Sequence, residues 1–235
     1  MIGAAAVDPP WVLDARGLHR FYRRGEEEIA ALRDVSLQVA PGETVAVLGP
    51  SGSGKSTLLT LLAGLESPDG GSVWVGGERM SHRSAAQQSR LRARSIGVLT
   101  QVSGLIEHLS VLGNVRLAAS FRRRRTGSTP ETGSAMSAEA LLDELGLEAR
   151  RHAWPSTLSG GETARANLAV AMAGGPLLLL ADEPTAEVSR HEETAVLELL
   201  RRVRPRCGGT VIVTHSDAVA RSADRVSTMT DGRLR

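Results

Sequence analysis

Cysteine is nearly absent from this chain of 235 residues. Cys207 stands alone, so no internal disulfide can form and a reducing compartment fits. No charged-then-apolar leader opens the sequence, which argues against a signal peptide. No apolar run approaches the roughly 20 residues needed to cross a bilayer; the run Leu177 to Ala181 falls far short of it. Net charge is small as well. A formal balance of +2 excludes a protein that holds a polyanion with its whole surface, so no nucleic-acid partner is expected. Hydrophobic residues at 41% and charged ones at 23% suit an ordinary soluble globular protein, and the length allows one core or one core plus a subdomain.

The sharpest scarcity is lysine. The 28 Lys and Arg residues are Lys55 and 27 arginines. Against such a bias, lysine's survival at one position asks for a chemical reason. Phe and Tyr together number three. Positive charge is concentrated in the run Arg122 to Arg125. It reads first as a solvated loop and second as a contact for acidic lipid headgroups or a membrane partner.

Residues 1–10 are small, apolar and Pro-ending, and read as a loose tail. Val12 to Leu18, Val35 to Val39, Thr44 to Leu48, Ser72 to Val75, Ile96 to Thr100, Leu177 to Ala181 and Thr210 to Thr214 read as strands. Ser56 to Leu65, a segment capped by Ser137, Ser159 to Met172 and Glu192 to Val203 read as helices, and Gln87 to Arg94 as a polar helix or turn. Arg122 to Ser134, with Gly127, Pro130 and Gly133, reads as a flexible connection. Strands alternating with helices imply a mostly parallel α/β sheet. The helix-rich stretch 88–174 reads as a subdomain carried on it.

Three patterns carry chemistry. Gly49-Pro50-Ser51-Gly52-Ser53-Gly54-Lys55-Ser56-Thr57 matches the phosphate-binding loop, with a β run before it and a helix after it. Glycines let successive N–H groups curl toward one anion, and the helix N-terminus adds partial positive charge. Lys55 sets a compact ammonium on the terminal phosphates, where the wide planar fork of arginine would not fit. The Ser56 hydroxyl is placed to ligate magnesium. An ordinary Gly/Ser turn is the bland alternative, and the flanking strand and helix argue against it.

The second pattern is the apolar run Leu177 to Ala181 closed by Asp182-Glu183. It puts two carboxylates at a strand's carboxyl end, where open α/β sheets bind ligands. Asp182 would hold magnesium and Glu183 would act as general base on water. Alone this pattern would read as a solvated strand end. The third is Leu158-Ser159-Gly160-Gly161-Glu162, a helix start that exposes N–H groups as a second anion site.

With these residues in view, the chain resembles the nucleotide-binding subunits of ABC transporters over residues 12–234. Leu158 to Glu162 matches that family's signature. The resemblance implies an α/β P-loop NTPase of ABC type: a mostly parallel core sheet flanked by helices, an antiparallel β part, and a helical subdomain. It makes 11–235 one ATP-binding domain. Gln101 resembles the glutamine that touches magnesium and couples to the membrane partner. His215 resembles the switch histidine on the γ-phosphate, and Tyr22 the aromatic that stacks on adenine, with Phe21 or a packing role open. ATP and Mg2+ are implied, as is a head-to-tail dimer with a second copy or a homologous subunit. In it the phosphate loop of one subunit faces Ser159 to Gly161 of the other.

Two departures stand out. Ser189 occupies a position where the family usually has Asp, in a segment that crosses the dimer interface, and Ala169-Val170-Ala171 replaces an Ala-Arg-Ala element. With the phosphate, magnesium and base residues intact, an active ATPase is expected, while the two departures put dimer communication and turnover rate in question. Tyr22 to Leu37 and Gln101 to Val115 look like the lipoprotein-releasing, macrolide-exporting and cell-division branch. Leu105, Leu109 and Val111 then either form a groove for a transmembrane permease or simply pack. The expectation is an ATP hydrolase on the cytoplasmic face of the membrane, driving an exporter. The alternative is an ABC ATPase of cell-division type that signals through a membrane partner without transport. A DNA- or ribosome-acting relative is disfavoured, since such proteins carry coiled-coil insertions or two ATP-binding domains.

Overall fold

The computed structural model describes residues 11–25, 27–101, 103–126, 136–186, 188 and 190–235. The tail at 1–10, Ser189 and residues 127–134 of the expected connection lie outside them. In chain order the elements are β1 (Leu13–Arg24), β2 (Glu27–Val39), β3 (Thr44–Leu48), α1 (Lys55–Leu62), β4 (Gly70–Val75), β5 (Glu78–Arg79), α2 (Ala85–Ser95), β6 (Ile96–Leu99) and α3 (Val111–Thr126). There follow α4 (Ala138–Glu144), α5 (Gly160–Met172), β7 (Leu178–Asp182), α6 (Arg190–Cys207), β8 (Gly209–Thr214), α7 (Asp217–Arg221), β9 (Arg225–Thr230) and β10 (Arg233–Leu234).

A six-stranded sheet of order β10-β9-β3-β8-β7-β6 is parallel throughout except for the terminal β9–β10 hairpin. A second, antiparallel sheet has the order β2-β1-β4-β5. The inner parallel strands β3, β7 and β8 are buried on both faces, which is why they read as unbroken apolar runs. Their side chains alternate between two cores. Leu178, Leu180, Val211 and Val213 join α1 and the antiparallel sheet on one side, while Leu179, Ala181 and Ile212 join α3, α4, α5 and α6 on the other. Val170 packs against this second cluster.

The sequence reading missed α3, α7, β5, β9 and β10 and the full length of the β1–β2 hairpin. At the start of α3, Gly113 and Asn114 disguise the helix. Asn114 is buried and closes the preceding loop, its Oδ1 accepting from Ile106 N (2.7 Å) and its Nδ2 donating to Ile106 O (3.1 Å) and Leu109 O (3.2 Å). Leu105 and Val111 are core residues, whereas Leu109 is half-exposed.

The solvated loop expected at Arg122 to Arg125 is corrected: all four residues lie in α3, and Arg122 is buried. Its guanidinium donates to the carbonyls of Ile96 (2.6 Å), Ala173 (2.6 Å) and Ala93 (3.2 Å). It thereby satisfies carbonyl groups left open where α2 and α5 end. Burial pushes its pKa down to about 10, so the charge is kept at neutral pH.

Candidate active site

Four neighbouring parallel strands deliver the site at their carboxyl ends. Leu48 of β3 pairs with Thr214 of β8, Val213 with Asp182 of β7, and Ala181 with Leu99 of β6. The residues that follow, Gly49, His215, Glu183 and Thr100-Gln101, therefore leave the sheet on one edge. That is the edge where ligands bind in open α/β sheets.

The loop after β3 is tied to β8 by Gly49 N–H donating to Thr214 O (3.1 Å) and closed by Ser53 N–H donating to Pro50 O (3.2 Å). Pro50, Ser51 and Gly52 are exposed on its crest, and Thr57 is half-buried. Gly54 opens α1 at φ 106°, a region closed to side chains. A Cβ there would also lie 2.5 Å from Ala31 O. Gly54→Ala is therefore expected to cost about 1–3 kcal/mol and to weaken ATP binding at least about tenfold; thermal unfolding with and without ATP measures both.

Lys55 is 8% exposed and its Nζ donates to Gly49 O (2.7 Å) and Pro50 O (2.9 Å). Carbonyls, not a carboxylate, hold the ammonium, so its charge stays available to an anion. The buried Ser53 Oγ has no hydrogen-bond partner among the described residues. A phosphate oxygen in the loop would supply the partner that buried polar atoms require.

Asp182 is half-buried, and burial, reinforced by the charge of Glu183, raises its carboxyl above the usual range, against a hydrogen bond from Ser56 and the charge of Lys55. A carboxylate and a hydroxyl joined at the head of the loop make an oxygen-only donor pair, which fits a hard divalent cation that takes its other ligands from phosphate and water. Among the described residues no three His, Cys, Asp or Glu side chains converge, so protein alone would not complete such a shell.

Glu183 adopts φ 45°, unusual for a non-glycine residue. Its own N–H donates to Val213 O (3.0 Å). Its Oε1 accepts from His215 N (2.9 Å) and lies 2.7 Å from His215 Nδ1, while Oε2 accepts from Thr214 Oγ1 (2.8 Å). The His215 ring is largely exposed. Gln101 is exposed and lines a small cleft of about 20 Å³ with Glu183, Gly160, Thr163 and Asn167. The structure thus brings together Lys55, Ser56, Asp182, Glu183, His215 and Gln101. The Thr214 hydroxyl escaped the sequence reading; its one signal was a polar residue closing the apolar run Val211 to Val213.

Ser159 caps α5 in a reciprocal box: its Oγ accepts from Glu162 N (3.2 Å), and Glu162 Oε2 accepts from Ser159 N (2.9 Å). The Ser159 N–H, aided by the Arg150 guanidinium at 2.7 Å, holds the Glu162 carboxyl below its usual range. Gly161 is buried, and a side chain there would strike the carboxylate of Glu192 on α6. Tyr22 lies on β1, with the Arg20 guanidinium 4.7 Å from its ring centroid and its hydroxyl donating to Glu66 Oε2 (2.9 Å). Phe21 is exposed and stacks with His19.

A protein-family model described as "ABC transporter" matches residues 32–186. The chain is 40% identical over 228 residues to the "Lipoprotein-releasing system ATP-binding protein LolD 2" of Rhodopirellula baltica, covering 96% of this chain and 89% of that protein. It is 36% identical to the "Macrolide export ATP-binding/permease protein MacB" of Hahella chejuensis, covering 95% of this chain but 33% of that longer protein. The dimeric structure of MJ0796, "a Bacterial ABC Transporter Cassette", superposes with a TM-score of 0.82 at 31% identity, covering 95% of this chain and 96% of that one. A dimeric post-hydrolysis state of the same cassette, bound to ADP and Pi, gives 0.81.

Proposed function

The chain belongs to the ABC transporter family as an ATP-binding and ATP-hydrolysing subunit, and on that premise we propose that it powers a permease of the lipoprotein-releasing or macrolide-exporting kind. It would sit on the cytoplasmic face of the cell membrane, bound to that partner. Among the described residues no helix is long and apolar enough to cross a membrane. Residues 11–235 are the ATP-binding domain, with a helical subdomain at about 88–174. Two copies, or one copy and a homologue, close head to tail over ATP, each offering Ser159 to Glu162 to the other's phosphates.

The observation that carries this reading is the row of functional groups along one sheet edge: the Lys55 loop, Asp182-Glu183 and His215 on adjacent strands. The N–H groups of Gly54 to Thr57 and the Lys55 ammonium bind the β- and γ-phosphates. Tyr22 would stack on adenine. Ser56, Asp182 and Gln101 would hold Mg2+, which when bound offsets charge on the phosphate oxygens. Glu183 accepts the proton of the attacking water, and its exit from the strand at φ 45° fixes where it does so. His215 meets the terminal phosphate and, through its contact with Glu183, links phosphate and base.

The test is Mg2+-dependent ATP hydrolysis by the chain assembled with its permease. Glu183→Gln keeps the shape but removes the proton acceptor, and turnover should fall at least about a hundredfold while ATP still binds. Equal rates for the two proteins would remove Glu183 from its role.

A further inference from the structure

Resting on the assignment of Glu183 as base, we propose that Thr214 is the positioning residue that sets the rotation of the Glu183 carboxylate. Thr214 ends β8 and is fully buried. Its Oγ1 makes two bonds, one with Ser216 N (3.0 Å) and one with Glu183 Oε2 (2.8 Å). A backbone N–H can only donate, so the Ser216 contact uses an acceptor lone pair of the hydroxyl. The single hydroxyl proton is then directed to Glu183. The direction of this hydrogen bond follows from the partners alone.

The need for such a bond follows from the other contacts. The terminal torsion of a glutamate is broad and nearly two-fold, so the side chain does not fix its own carboxylate plane. Glu183 Oε1 is held by His215, through its N–H and its exposed ring. Once the ring turns toward a phosphate, the His215 backbone N–H and the Thr214 hydroxyl keep the two carboxylate oxygens in place. The same strand holds the backbone, since Glu183 N–H donates to Val213 O at 3.0 Å. Three successive residues of β8 and its extension thereby set the base's backbone, one oxygen and the other oxygen.

The experiment measures single-turnover ATP hydrolysis by the full chain with Thr214→Val, Thr214→Ala and Thr214→Ser, alone and with Glu183→Gln. ATP-induced thermal stabilisation checks that each variant folds and binds nucleotide. Valine and alanine should slow hydrolysis about tenfold to a hundredfold with the KM for ATP changed less than about twofold, and serine should restore the rate. On the Glu183→Gln background, Thr214→Val should cost less than about twofold, because nothing remains to be positioned. Wild-type rates with valine or alanine, a serine variant as slow as valine, or an undiminished loss on the glutamine background would each overturn the proposal. Wild-type hydrolysis by Glu183→Gln alone would instead overturn the assignment of the base, a separate result.

Discussion

Replacing Lys55 with arginine is expected to leave the fold standing and lower ATP turnover about a thousandfold. The ammonium occupies a slot bounded by Gly49 O at 2.7 Å and Pro50 O at 2.9 Å and is nearly sealed from solvent. A guanidinium keeps the charge but is planar and broad. In that slot it would push the loop carbonyls apart or point its nitrogens past the phosphate. Removing one preorganised donor from developing charge typically costs about 10²–10³ in turnover, and here the N–H cradle would be distorted as well. Lys55→Ala tests the charge without the bulk. Both variants should unfold within a few degrees of wild type, yet gain little stabilisation from ATP. An arginine variant that turns over normally would mean that any cation suffices, and the single lysine would lose its chemical explanation.

The largest loss of stability is expected at Arg122. Its two shortest bonds reach Ile96 O and Ala173 O, both at 2.6 Å. Holding the charge there is costly: a pKa of about 10 against 12.5 corresponds to about 3 kcal/mol. Arg122→Ala recovers that cost. It also leaves two buried carbonyls without their charged donor, at about 1–3 kcal/mol each, and removes two buried methylenes, at about 0.8 kcal/mol each. These losses, about 4–8 kcal/mol in all, exceed the recovery, and the net is about 1–5 kcal/mol. For a domain of this size that lowers the midpoint of thermal unfolding by about 2–20 °C. Arg122→Lys should recover only part, since an ammonium cannot reach α2, α5 and β6 together. The contrast with Lys55 is instructive, because each site demands the cation the other cannot use.

Most of the site was legible because its parts are local. The loop from Gly49 to Thr57, the carboxylates after Leu177 to Ala181 and the cap at Ser159 each depend on residues within one turn or strand, so spacing alone exposes them. What stayed hidden depends on distance along the chain. Thr214 reaches Glu183 across 31 positions, and the local pattern shows only a polar residue closing an apolar run, with no hint of its partner. Arg122 read as solvent-facing because three further arginines follow it, and charge runs usually are; the Ala171 and Ala173 carbonyls that bury it lie about 50 positions away. The C-terminal hairpin was missed because β9 alternates exposed and buried residues at the rim of the sheet, without the apolar density of its neighbours. Its structural use is again remote: Gly232 N–H donates to Ser53 O at 3.0 Å and Gly232 O accepts from Arg33 N at 2.7 Å, so the turn steadies the phosphate loop against β2.

The seclusion of Lys55 has a consequence for chemical labelling. Since every other basic side chain except histidine is a guanidinium, an amine-directed acylating reagent has, apart from the chain's α-amino group, a single side-chain target, and that target is the nucleotide pocket. Acylation there and ATP binding exclude one another, so ATP should lower the extent of labelling, although burial of the ammonium between two carbonyls makes the reaction slow even in the empty pocket. For the same reason, lysine-to-lysine cross-linking would say almost nothing about the rest of the surface.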